Sequence, residues 1–350
     1  MPEKITINER VVGPGEPVFV IAEAGVNHNG RLDLAMQLVE VARDSGADAV
    51  KFQTFNAEDL IAPGADKAEY QKRTTGSEES QLEMIRRLQL SYDDFRRLKS
   101  YSDELGIVFL STPFDFQSVD FLCDLNLPAF KISSGDLTNY PLLEYVARKD
   151  RPVILSTGMS NLDEVREAVE SVRNTGNDQL AVLQCVTSYP ADPSEVNLLA
   201  MHSMRSAFDL PVGYSDHTLG IEVPIAAVAL GANIIEKHFT IDKRLSGPDH
   251  QASLEPDELR AMIGAIRKVE LALGSGEKTV AASEMANAAV ARRSLVAAQD
   301  IPAGSVMSAK LIAIKRPGTG LPPKMFPQLL GRTTRVHVPA GTLLDLEMFE

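Results

Sequence analysis

The sequence predicts a (β/α)8 barrel of the TIM-barrel class followed by a small β-rich domain. Three observations carry this. Short apolar runs recur eight times; segments of helical period lie between them; and the alternating stretch covers about 240 residues, the size of such a barrel. The runs are Val18–Ala22, Ala49–Phe52, Ile107–Leu110, Ala129–Ile132, Pro152–Leu155, Leu180–Leu183, Val212–Tyr214 and Ile234–Ile235 continuing to Phe239. Near-continuous apolar strands flanked by helices indicate a parallel sheet covered on its faces. An open doubly wound sheet is the alternative. Its dinucleotide-binding form is disfavoured, because no G-x-G-x-x-G follows the first run.

The intervening segments read as amphipathic helices. Leu32, Ala35, Leu38, Val39 and Ala42 repeat at three and four, as do Leu162, Val165, Val169 and Val172. Ser80 with Glu83 has the form of a capping box, and Asn161 with Glu164 of a second cap. Leu259, Met262, Ile263, Ile266, Val269 and Leu273 make a last helix that Gly274–Gly276 breaks. The predicted division is a barrel over residues 1–276, a linker over 277–291 and a β-rich domain over 292–350. That last domain carries a faint repeat: Asp300-Ile301-Pro302-Ala303-Gly304 is echoed by His337-Val338-Pro339-Ala340-Gly341, which implies pseudo-symmetric halves.

Composition narrows the function classes. Hydrophobic residues at 44% and charged residues at 24% exclude a mainly disordered chain. No apolar run is long enough for a membrane helix, and the polar segment Met1–Gly15 has no signal-peptide form, so no membrane partner is expected. A formal charge of −13 argues against nucleic acid as a partner. Cys123 and Cys185 suggest neither a metal pair nor a disulfide framework, which fits a reducing cytoplasm.

A barrel of this kind places its chemistry at the C-terminal ends of the strands. Reactive side chains cluster there: Glu23; Lys51 and Gln53; Thr112; Lys131, Ser134 and Asp136; Ser156; Tyr189; Ser215 and His217; Glu236 and His238. Alternation puts Lys51 with Gln53, Ser215 with His217, and Glu236 with His238 on common faces. A lysine within an apolar strand is costly without a counter-charge. Lys51 and Lys131 with Thr112, Ser134, Ser156 and Ser215 suit a phosphate and a carboxylate; alternatively each lysine pairs with an internal acid such as Glu236 or Glu23. His217 and His238 either share a metal or act as an acid–base pair. Asp249 in Gly247-Pro248-Asp249-His250 either hydrogen-bonds a polyol or caps the following helix. Tyr70 lies in a long loop that serves either as a lid or as surface ornament. His28 sits in an active-end loop, and Cys185 reads as packing.

These residues resemble the sialic acid synthase family. The resemblance is carried by Ile21-Ala22-Glu23-Ala24-Gly25-Val26-Asn27-His28-Asn29-Gly30, Ala47–Phe55, Ser111-Thr112-Pro113-Phe114, Lys131–Asp136, Gly213–Thr218 and Glu236–Thr240. It continues into Lys315-Arg316-Pro317-Gly318-Thr319-Gly320, similar to the family's antifreeze-like (SAF) module. It implies a cytoplasmic enzyme that condenses phosphoenolpyruvate with an open-chain N-acyl-aminohexose, typically N-acetylmannosamine, giving a nine-carbon 2-keto acid and phosphate. It implies a divalent metal, Mn2+ or Mg2+, on His217 and His238. It further implies proton handling or charge stabilisation by Glu23, phosphoenolpyruvate on Lys51, Thr112, Lys131, Ser134, Ser156 and Ser215, and the sugar against Gln53, Asp136, Tyr189 and Asp249. Arg316 matches an arginine that reaches a partner's barrel in a domain-swapped homodimer. Asp136 stands where some members have glutamate, and Thr187 near a frequent asparagine. Related synthases use a 2,4-diacetamido-2,4,6-trideoxyhexose to make legionaminic-type acids. A metal-dependent pyruvate aldolase is a more distant alternative. Ice binding is disfavoured, because Met307–Thr319 shows no Thr repeat.

Overall fold

A computed structural model describes residues 4–76 and 78–350. The chain divides into one unit ending at Gly274 and a second over Ser275–Glu350. The first begins with a hairpin, β1 (Ile5–Ile7) and β2 (Arg10–Val12). Eight parallel strands follow: β3 (Phe19–Gly25), β4 (Ala49–Thr54), β5 (Val108–Pro113), β6 (Phe130–Ile132), β7 (Val153–Ser156), β8 (Leu180–Cys185), β9 (Val212–Asp216) and β10 (Ile234–His238). Their hydrogen-bonded order is β5-β4-β3-β10-β9-β8-β7-β6, and β5 lies beside β6 where the ring comes together. This is the (β/α)8 arrangement, with each of the eight apolar runs at a strand.

Alternation along each strand builds two cores. Outward residues such as Val20, Ala22, Val50, Phe52, Phe109, Val182 and Tyr214 pack against the helices. Inward residues Phe19, Ile21, Ala49, Leu110, Ala129, Ile154, Ala181, Leu183 and Ile234 fill the barrel's lower interior. Ile5, Ile7 and Val12 of the hairpin join this inner cluster and plug the floor, a role the polar reading of Met1–Gly15 did not anticipate. The next inward layer up, at the C-terminal ends, is polar.

The helices carry the expected caps. Ser80 accepts from the Glu83 amide while Glu83 reaches back to the Ser80 amide, and Asn161 with Glu164 does the same. The long connection after β4 holds three short helices, Ala57–Leu60, Glu69–Thr75 and Gln81–Leu88, before the barrel helix Tyr92–Leu105. No described helix is long and apolar enough to cross a membrane.

The second unit opens with exposed helix Met285–Ala291. Strands β11 (Ser294–Ala297) and β12 (Ile312–Lys315) then pair antiparallel. The sequence repeat is here a structural one. Ile301 and Val338, equivalent positions in the two copies, exchange backbone hydrogen bonds with each other. Gly304 donates to the Thr334 carbonyl as Gly341 does to the Ala297 carbonyl. The apolar centre gathers Leu295, Ile301, Met307, Leu329, Val338, Leu344 and Phe349.

Candidate active site

The polar layer of the barrel opens into a cavity of about 460 Å³ lined by Glu23, Lys51, Gln53, Thr112, Lys131, Ser134, Ser156, Ser215, Glu236, Tyr189, His217 and His238, among others. A larger groove near Val18 and Asn233, at the opposite end of the strands, is lined mainly by apolar and backbone groups. Its charged residues are already paired: Arg267 with Glu270 and Asp48, and Glu16 with Lys4. The chemistry belongs to the first cavity.

Two lysines and two glutamates form its floor. Lys51 Nζ lies 2.7 Å from Glu23 Oε2, 3.0 Å from Thr112 Oγ1 and 3.8 Å from Glu236 Oε2. Lys131 Nζ donates to Ser156 Oγ at 2.7 Å and to the Ile132 carbonyl at 2.9 Å, and is 3.6 Å from Glu236 Oε1. Ser215 Oγ donates to Glu236 Oε1 at 2.8 Å. All four ionisable groups are buried. Each lysine therefore has an internal acid, and Glu236 serves both. An entering anion would compete with Glu236 for the two ammonium groups and the Ser215 hydroxyl.

The electrostatics divide the two carboxyls. Burial pushes Glu23 up to about 7; Lys51 opposes the shift and Glu236 adds to it. Burial acts on Glu236 in the same sense, but Lys131 and Lys51 outweigh it and hold its pKa below the usual range. Glu236 is thus the resident anion, while Glu23 exchanges a proton near neutrality. Burial lowers the pKa of Lys131, and Glu236 only partly offsets this. Lys51, between two acids, ends above its usual value. Gln53 Nε2 donates to Glu23 Oε1 at 3.3 Å, which orients that carboxyl.

The imidazoles of His217 and His238 have ring centres 5.4 Å apart. His217 Nδ1 sits 2.6 Å from the Val186 carbonyl, so Nδ1 carries the proton and Nε2 is left free. His238 Nδ1 is buried without a hydrogen-bond partner among the described residues. Burial and the nearby cationic groups keep His238 neutral. Burial opposes charge on His217 as well, but Cys185 and the Val186 carbonyl outweigh it and raise its pKa, so the two rings differ. The pair fits a divalent ion as two adjacent imidazole donors, with any proton on His217 Nε2 displaced on binding. No described group of three or more His, Cys, Asp or Glu residues is placed to hold an ion, so water or substrate oxygens would have to complete the shell.

Backbone detail supports the packing. Gly25 has φ of +54°, and a Cβ there would come 3.2 Å from the His238 ring and 3.3 Å from Glu23 Oε1. A Cβ on Gly158 would lie 2.9 Å from Ser134 Oγ, which accepts from the Gly158 amide at 2.9 Å. These positions keep side chains off the cavity wall.

Asp136 is not among the residues that line the cavity; its carboxylate accepts from Ser133 Oγ at 2.8 Å and Asn139 Nδ2 at 3.2 Å. Local turn hydrogen bonds hold it at its own 3-10 segment, Ser134–Asp136. Asp249 is buried, caps no helix through its side chain, and has its pKa raised to about 6 by burial. Arg316 is exposed in the second unit, just after β12. His28 does not line the cavity; its Nδ1 accepts from the Gly30 amide at 3.0 Å. Glu236 and Cys185 were underweighted from sequence. Alternation with His238 and the need to balance two lysines pointed to the first. Cys185 Sγ lies 3.8 Å from His217 Nδ1 across two adjacent strands, so no sequence spacing pairs them.

Lys237 faces the helices instead. Its ammonium contacts Asp216 Oδ2 at 2.5 Å and donates to the Thr218 carbonyl, with both charged groups fully buried. It is a structural pair adjoining the site.

Residues 38–278 match the NeuB family and residues 292–350 the SAF domain. The N,N'-diacetyllegionaminic acid synthase of Legionella pneumophila is 47% identical, over 97% of this chain and 96% of its own length. The enzyme of that name from Campylobacter jejuni is 49% identical, over 90% and 95%. The crystal structure of N-acetylneuraminic acid (sialic acid) synthetase from Leptospira borgpetersenii superposes with a TM-score of 0.74 at 36% identity, covering 82% of this chain and 95% of that one. The chain belongs to the NeuB family and carries a SAF domain.

Proposed function

We propose that this NeuB-family chain condenses phosphoenolpyruvate with an open-chain N-acylated aminohexose and water, giving a nine-carbon 2-keto acid and phosphate. The single observation that carries the reading is the buried Lys51–Glu23–Glu236–Lys131 floor, ringed by four strand-end hydroxyls and facing two adjacent imidazoles. A free-pyruvate aldolase has no use for so many phosphate-type donors.

In this reading Lys131, Ser134, Ser156 and Ser215 hold one anionic group of phosphoenolpyruvate, and Lys51 and Thr112 the other. His217 and His238 hold the divalent ion; imidazole donors favour Mn2+ over Mg2+. When bound, that ion supplies Lewis-acid polarisation of the aldehyde. The enol C3 electrons form the new bond to the aldehyde carbon, whose oxygen takes a proton. Water adds at the electron-poor C2 and releases a proton. The C2–O bond of the phosphate ester then breaks, phosphate leaves with that oxygen and with the proton of the C2 hydroxyl, and the ketone forms. One proton is taken up at the aldehyde oxygen and one is released by the water adding at C2, two carbons away, and Glu23, titrating near neutrality, is the group to carry them. Glu236 stays ionised and stabilises the positive character at C2.

We assign the acceptor as a 2,4-diacetamido-2,4,6-trideoxymannose. The 47% and 49% identities to the two legionaminic acid synthases, against 36% to the sialic acid synthetase, support that choice. N-acetylmannosamine is the second reading, favoured by the superposition on that synthetase. Arg316 of one chain contacts the N-acyl group held in the barrel of a second copy, which makes the active species a dimer.

The test is turnover with phosphoenolpyruvate and Mn2+, each acceptor in a separate reaction, following phosphate and 2-keto acid together with a chelator control. Metal-dependent, one-to-one formation of both products is expected, with preference for the deoxy diacetamido sugar. Preference for N-acetylmannosamine would move the acceptor and keep the chemistry. Phosphate release without an acceptor, or no turnover of either, would sink the reading.

A further inference from the structure

The excursion after β4 is built as a fastened lid. Lys67, buried although its neighbours are exposed, donates from Nζ to Thr75 Oγ1 at 3.0 Å and the Gly76 carbonyl at 3.1 Å, and pairs with Glu79 at 3.2 Å. These contacts tie the C-terminal end of helix Glu69–Thr75 to the segment leading into it. Thr74 Oγ1 lies 3.5 Å from the Pro248 carbonyl, across the barrel mouth, while the carbonyls of Tyr70 and Gln71 in its own helix are nearer acceptors at 3.1 and 3.3 Å. The helix presents Tyr70 to the cavity it covers.

Tyr70 continues an aromatic column. Its ring stacks on Tyr189 with centres 4.9 Å apart and planes 24° from parallel. Tyr189 in turn lies 4.0 Å from the His217 ring and meets His238 edge-on at 5.6 Å. The cavity therefore has two unlike sides: ammonium groups and hydroxyls on the floor, and phenol rings beside the imidazoles. Among the described residues the Tyr70 hydroxyl has one long side-chain contact, from Gln71 Nε2 at 3.4 Å, so its ring is the larger part of what it offers a ligand.

We propose that Tyr70 is the specificity-determining residue for the distal end of the acceptor, selecting a 6-deoxy sugar over its 6-hydroxy counterpart. This rests on the synthase reading above. With phosphoenolpyruvate on the floor and the aldehyde carbon at the imidazoles, the open chain extends toward the mouth, and C6, farthest from the aldehyde, comes under the lid. A phenol face packs favourably against a methyl group and offers a hydroxyl no hydrogen bond, so a C6 hydroxyl there loses water without replacement.

The test compares two acceptors that differ only at C6, 2,4-diacetamido-2,4,6-trideoxymannose and 2,4-diacetamido-2,4-dideoxymannose, in wild type, Tyr70→Phe, Tyr70→Ala and Tyr70→Leu. Wild type and Y70F should prefer the deoxy sugar by about tenfold or more in kcat/KM, the scale of one group in an apolar pocket. Y70A should lose most of that ratio, chiefly through acceptor KM, with phosphoenolpyruvate KM unchanged. Y70L, which keeps an apolar side chain, carries the test if Y70A does not fold, and should lie between. An unchanged ratio in the folded variants, or no preference in wild type while both sugars turn over, overturns the role of Tyr70 and leaves the synthase reading standing. No turnover of either sugar by wild type overturns the role of Tyr70 and the diacetamido acceptor; if N-acetylmannosamine offered in parallel is not turned over either, the synthase reading falls with them.

Discussion

At the scale of single residues, the site is a problem of buried charge. Glu23 and Glu236 touch the same Lys51 ammonium, yet one is pushed up to about 7 and the other held low, because Lys131 acts mainly on Glu236, 3.6 Å away, to which Ser215 also donates, and is the smallest influence on Glu23. Glu23→Gln keeps the shape of the side chain and removes proton exchange. Its kcat should fall by about 10²–10⁴-fold with phosphoenolpyruvate KM little changed, read by steady-state kinetics. An unaltered kcat would remove Glu23 from proton handling. His28 gives a pH-dependent prediction away from the cavity. Burial, with nearby His250, lowers its pKa from 6.5 to about 3. The unfolded chain takes up this proton below pH of about 6.5 and the folded chain does not, so stability falls as pH drops through that window. Relative to His28→Asn, wild type should lose about 1.4 kcal/mol per pH unit between pH 6 and 4 in urea unfolding. Equal slopes would show that His28 titrates alike in both states. The lysines and hydroxyls were legible in the sequence because polar groups in apolar strands have few reasons to be there. Asp136 was not, because turn hydrogen bonds from Ser133 and Asn139 decide where it points.

At the scale of elements, periodicity placed all eight barrel strands, while the floor hairpin escaped it. Its strands are three residues each, joined by the two-residue turn Asn8–Glu9 with both φ values positive, 45° and 69°. Asn suits that conformation, but Glu stands where Gly usually marks such a hairpin, so the turn had no clear sequence signature. The plug is nevertheless part of the inner core: Ile7 is fully buried. Ile7→Ala should cost about 2–5 kcal/mol in urea unfolding. KM for both substrates should stay the same, because the hairpin lies at the end of the barrel away from the cavity. A loss of substrate affinity without a loss of stability would contradict this division between floor and mouth. The lid was half legible. Its cap and Tyr70 could be read, but the stack of Tyr70 on Tyr189 joins segments far apart in sequence and needs the barrel to bring them together.

At the scale of the whole molecule, two units carry different kinds of order. The barrel encloses the charged floor, and the SAF unit repeats one backbone pattern about a pseudo-two-fold relation between Ile301 and Val338. The repeated Pro-Ala-Gly segments made that symmetry visible in the sequence; its hydrogen-bonded partners, such as Ala297 and Thr334, share no common residue type and were not. If Arg316 acts on the barrel of a second copy, Arg316→Ala and Glu23→Gln damage different partners. Each alone should be impaired, R316A mainly in acceptor KM. Dimers co-expressed and reassembled from both should regain roughly one competent site per dimer. No recovery in verified mixed dimers would place the arginine's role elsewhere.

The central claim is that C3 of phosphoenolpyruvate forms the new bond and that the bond broken on phosphate release is C2–O. Phosphoenolpyruvate labelled with 18O at the bridging position tests it most directly, with the diacetamido acceptor and Mn2+ present. The label should leave with inorganic phosphate, and the 2-keto acid should take its new oxygen from water. Label retained in the keto acid would mean phosphorus–oxygen cleavage to a pyruvate enolate, and would contradict the mechanism assigned to this floor of lysines and glutamates.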